Sequence, residues 1–211
     1  HVYYFSNGCL QDDASALRAQ EEYDEAVSFF KAGDLANATK SLGIVTHYIS
    51  DVAVFGHVMG SATDWGNEAH HSDYETYVNE RTDSYVDEFN TSLAFDGVLN
   101  NISAYNATLM LAYDTTFDAD GDLTCVWMDQ NYDWSNATFK NRCGESLNLA
   151  VNLVADVLHT FYVEEVIPEF PPIIIMPLLM LATLIAVITH RRKPSRHFST
   201  FRREYDDNKP I

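Results

Sequence analysis

The stretch AVSFFKAGDLANATKSLGIVTHYISDVAVFGH, residues 26–57, decides the fold. Its opening residues end an amphipathic helix predicted over residues 13–32, where Leu17, Tyr23, Ala26, Val27 and Phe30 recur at helical intervals. Gly33 closes that helix and Asp34 caps a second one, which runs to about Val54 with Leu42, Val45, Ile49 and Val52 along one stripe. Two helices joined by Gly-Asp make a tight hairpin. On the second helix His47 and Asp51 stand four residues apart and share a face roughly opposite that stripe, and His57 follows six residues later. At this point a solvated polar face and a metal site are both open readings.

Outward from the hairpin, a third helix is predicted over residues 68–89. A fourth is predicted over residues 145–163, with Leu147, Ala150, Val151, Val154, Leu158 and Phe161 on one face. Residues 90–144 are rich in Asn, Asp, Thr and Tyr, so loops, a short helix and a minor hairpin are expected there. The fold class is all-α. The hairpin looks like one tetratricopeptide unit, but no second copy follows at a fixed period, and a lone unit cannot stack. The acidic run at residues 118–129 starts with the spacing of a calcium loop. Gly121 then falls at its fourth position and Asp129 at its twelfth, which reads better as an acidic turn.

Charge divides the 211-residue chain. Residues 1–170 hold 6 Lys/Arg against 28 Asp/Glu, whereas residues 191–211 hold 7 against 3. So acidic a surface repels nucleic-acid phosphates, which lowers the case for a nucleic-acid-binding protein. From Ile173 to Thr189 the sequence runs without a charge, and a basic cluster follows at once, the pattern of a membrane span with a cytoplasmic basic flank. The expected organisation is therefore a folded domain over residues 1–166, a Pro-rich linker over 167–172, a transmembrane helix over 173–190 and a basic cytoplasmic tail over 191–211. This places the domain outside the cell on a single-pass anchor. An oxidising exterior would allow a Cys125–Cys143 disulfide, with Cys9 left over, and Asn-x-Ser/Thr triplets at Asn37, Asn90, Asn101, Asn106 and Asn136 are compatible with glycosylation there.

The third helix repeats the spacing of the second. His71 and Glu75 lie four apart and border the apolar arc of Tyr74, Val78, Tyr85 and Phe89. Two His-carboxylate pairs plus His57 supply nitrogen and oxygen donors suited to zinc. The series His47, Asp51, His57, His71, Glu75, with gaps of 4, 6, 14 and 4, resembles the zinc-dependent phospholipases C of the all-helical phospholipase C/P1 nuclease fold.

That resemblance implies two or three zinc ions. His57, His71 and Glu75 would hold one. His47 and Asp51 would hold a second, Asp51 being able to bridge to a third, and His1 matches a further histidine of the second site. It implies hydrolysis of a phosphodiester, and Glu75 in place of aspartate points to the phospholipase branch, with a phospholipid head group as substrate. The family's general base, an aspartate, falls upstream of His1. Trp65 and Tyr74 are candidates to line a head-group pocket, since aromatic faces attract quaternary ammonium groups. Two rivals are a P1-type nuclease or phosphoesterase of the same fold, and a catalytically incomplete zinc-binding surface protein used for adhesion or scaffolding.

Overall fold

The expected hairpin is present in the computed structural model, which describes residues 5–6, 9–59, 68–82, 89, 91–119 and 121–167. Helix α1 spans Ala14–Lys31 and α2 spans Leu35–Asp51. Gly33 turns the chain between them at φ 79°, a left-handed conformation that costs glycine little, and its N–H donates to the Phe30 carbonyl at 2.9 Å. Asp34 then caps α2, its carboxylate accepting from the Asn37 N–H at 3.2 Å. The two helices pack on each other, α1 burying Ala16, Ala19, Tyr23 and Ala26 and α2 burying Ala38, Val45 and Ile49.

Five further helices follow among the described residues: α3 (Phe55–Met59), α4 (His71–Thr82), α5 (Ala104–Phe117), α6 (Cys125–Gln130) and α7 (Ala137–Phe161), the last continuing into a π-helical turn at Tyr162–Val166. The only strands among these residues are β1 (Phe5–Ser6) and β2 (Cys9–Leu10), paired antiparallel. The protein is thus mainly helical. Side-chain caps start α5, α6 and α7, from Ser103, Thr124 and Asn136 respectively.

Helix α7 begins at Ala137 rather than near residue 145, and its buried apolar residues are Phe139, Cys143, Ala150, Leu153, Val157 and Phe161. Val151 and Leu158, expected on that face, are exposed. The rotation has a polar cause. Asn148, Asn152, Asp156 and Thr160, one turn apart, accept from the backbone N–H groups of Ala94, Asp96, Asn100 and Ile102 at 2.7, 3.2, 2.8 and 2.9 Å. An extended segment is therefore strapped along the helix, and this row, not the apolar stripe alone, fixes which side turns inward. By length and composition Ala137–Val166 is also long and apolar enough to cross a membrane, although its inner face packs against α2 and α5.

All described residues belong to the first of two units, His1–Pro168. The span expected over 173–190, the tail over 191–211 and residues 168–172 of the linker lie outside the described residues, as do His1 and Trp65.

Candidate metal centre

Three short pieces of chain meet at one end of the bundle. Helix α2 stops at Asp51, and its terminal carbonyls lack partners within the helix. The Asp51 carbonyl accepts from the Val54 N–H at 3.2 Å and from His57 Nδ1–H at 2.7 Å. One end of His57 is thereby fixed to the end of α2. Helix α3 is anchored by buried Phe55, Val58 and Met59, which leaves His57 on its open side.

The start of α4 is held from a distance. Buried Asp129, on α6, accepts from the Ala69 and His70 N–H groups at 2.9 and 3.0 Å, in the manner of a cap supplied by another helix. The His70 ring stacks on Tyr132 with centroids 4.4 Å apart. The next residue, His71, is so delivered to the site. Gly56 permits the approach, because a Cβ built on it would stand 2.6 Å from His71 Cγ.

His57 and His71 cross edge to face, with ring centroids 4.7 Å apart. The Nε2 atoms of both lie 3.1 Å from the same oxygen, Glu75 Oε1. One ligand atom from each of His57, His71 and Glu75 falls within 4.8 Å of the other two. Their outer nitrogens face carboxylates: His57 Nδ1 is 3.1 Å from Asp51 Oδ2, and His71 Nδ1 is 3.4 Å from Glu68 Oε1. The histidine side chains are only 16% and 15% exposed and that of Glu75 is 44% exposed, so the donors converge at a half-open edge.

Electrostatics couple the site to α2. Burial works to raise the Asp51 pKa, but its hydrogen bond to His57 and the charges of His57 and His47 outweigh this and hold it below the ordinary carboxylate value. Burial likewise works to lower the His57 pKa. The hydrogen bonds and charge of Asp51, with that of Glu75, win and raise it. A negative field around the rings of this kind also favours a cation placed between them.

The two i, i+4 pairs expected from the sequence occupy different positions. His71 and Glu75 join His57 in the converging set, whereas His47 is exposed one turn before Asp51, its ring beside Tyr48, and neither it nor Asp51 belongs to that set. Tyr74 does not line a pocket. It is 2% exposed, packs on Phe55 and Trp134, and donates its hydroxyl to Cys143 Sγ at 3.1 Å, because the face of α4 that carries it turns into the core. The expected Cys125–Cys143 disulfide is not formed either: Cys125 is a buried thiol at the start of α6, and Cys143 is the acceptor for Tyr74.

Three residues of the site were missed in the sequence. Glu68 carried a usable signal, since three residues before His71 is helical-neighbour spacing. Gly56 and Asp129 carried none, because each acts on a residue that only the folded chain brings near. No family model matches the chain, and no curated protein or solved structure is significantly similar to it.

Proposed function

We propose that the chain is a zinc-dependent phosphodiester hydrolase of phospholipase C type, acting on phospholipid head groups at the cell surface. The observation that carries this reading is the convergence of His57, His71 and Glu75 within 4.8 Å. The donor set fits the ion: two imidazole nitrogens and one carboxylate suit zinc, and three protein ligands leave a position for substrate or water, as in catalytic rather than structural sites. His47 and Asp51, on the adjoining turn of α2, are the residues that would hold a second ion.

Bound zinc supplies Lewis acidity and charge neutralisation toward a phosphodiester. The chain's own residues do the rest. His57 and His71 present Nε2 inward, Glu75 meets both at its half-exposed edge, and Asp51 holds His57 in orientation. The chain is strongly acidic, with a formal net charge of −18, so a bound cation would offset the repulsion that an anionic substrate meets. Glu75 at the last ligand position supports the phospholipase branch, and the apolar run with its basic flank supports a membrane-tethered site.

The test is zinc content together with hydrolysis of a chromogenic phosphocholine ester, before and after chelation and in His71→Ala. Turnover that needs zinc and His71 is the expected result. Hydrolysis of single-stranded DNA with none of the choline ester selects the nuclease instead, and stoichiometric zinc without turnover of either selects a binding protein.

A further inference from the structure

An imidazole ligates a metal through the nitrogen that lacks a proton, and the partner of the other nitrogen decides which one that is. His57 and His71 meet this requirement at opposite kinds of helix end. His57 follows the C-terminus of α2, where a carbonyl free of the intrahelical ladder is at hand, and its Nδ1–H takes the Asp51 carbonyl at 2.7 Å beside the Val54 N–H at 3.2 Å. His71 is the first residue of α4. A helix N-terminus offers surplus N–H donors and no surplus carbonyl, so the helix itself supplies no acceptor for an Nδ1–H there.

We infer that Glu68 is that acceptor: the positioning residue of His71, as Asp51 is of His57. The inference rests on reading His57, His71 and Glu75 as zinc ligands. Glu68 lies three residues before His71, its side chain is 10% exposed, and its Oε1 is 3.4 Å from His71 Nδ1. The Ala69 and His70 N–H groups, the backbone donors that follow Glu68 directly, go to Asp129. The result is one arrangement reached twice. Each ring has its Nδ1 beside an acceptor and its Nε2 at 3.1 Å from Glu75 Oε1.

The experiment compares wild type, Glu68→Ala and Glu68→Gln by zinc competition against a chromophoric chelator, with histidine ¹⁵N spectra of the zinc-loaded proteins. Glu68→Ala is expected to weaken zinc by about 10–100-fold, the usual effect of removing such an outer partner, and to alter the His71 Nδ1–H signal while leaving that of His57 in place. Glu68→Gln, whose amide oxygen still accepts, is expected to recover most of the affinity; circular dichroism of both variants checks that the helices persist. Glu68→Ala binding zinc as tightly as the wild type overturns the role of Glu68 alone. A wild type that binds no zinc overturns the ligand reading and this inference together.

Discussion

Gly56 lies against the His71 imidazole so closely that a Cβ on Gly56 would meet His71 Cγ at 2.6 Å and Cδ2 at 2.8 Å. The residue before one candidate ligand thus sets the clearance for another, fourteen positions further along the chain.

Gly56→Ala therefore tests the site without touching a ligand. Either His71 or the α3 backbone must shift, and the expected result is zinc affinity lower by about tenfold or more with helical content retained. A chelator competition read beside circular dichroism checks it. Unchanged affinity would mean that the site tolerates a displaced His71.

Asp129 gives a prediction on stability. Its replacement by alanine strips acceptors from the Ala69 and His70 N–H groups, and loss of such a cap is expected to cost about 1–2 kcal/mol, with Asp129→Asn losing less because its amide oxygen still accepts. Urea unfolding of the two variants checks the order. Equal stability of wild type and Asp129→Ala would show that these two hydrogen bonds do not hold the start of α4.

These two residues also mark the limit of what the sequence made legible. The α1–α2 hairpin was readable because everything that defines it is local: apolar spacing, a glycine at the turn and an aspartate cap. The spacing of His71 and Glu75 was readable for the same reason. Helix α5 was not, because its buried face is Ala104, Ala107, Thr108, Leu111, Ala112, Thr115 and Thr116, in which small and β-branched polar residues blur the helical pattern. Thr108 and Thr116 sit there at little cost, since their hydroxyls donate to the carbonyls of Ala104 and Ala112. Asp129 was invisible as a cap, since its partners are some 60 residues earlier in the chain.

Tyr23 is buried, and its hydroxyl has no hydrogen-bond partner in the structure. An orphaned polar atom of this kind costs free energy, so Tyr23→Phe is expected to stabilise the domain by about 1 kcal/mol while keeping the ring's edge-to-face contact with Phe161. Thermal unfolding of the variant checks it. A lower melting temperature would show that the hydroxyl is satisfied in solution.

Burial pushes the Cys125 thiol up from its ordinary value of 9.0 to about 12, and burial with the charges of Glu164, Glu165 and Asp24 does the same to Tyr23, from 10.0 to about 12. In the unfolded chain both ionise at lower pH than in the folded one. The stability linked to them is therefore complete below about pH 9 and is lost as the pH rises toward 12. Denaturant titrations across that window should show the fall. In the native protein iodoacetamide should label exposed Cys9 and spare Cys125, which becomes reactive in denaturant without reductant. A Cys125 that reacts only after reduction would restore the expected disulfide.

The central claim is that His57, His71 and Glu75 form one zinc site, and the most direct test is the zinc bound per chain after extensive dialysis, measured by elemental analysis for wild type and His71→Ala. At least one zinc per wild-type chain is expected, with a clear loss in His71→Ala and loss of phosphodiester turnover in parallel. Wild-type protein that retains no zinc, or His71→Ala that retains as much as the wild type, would contradict it.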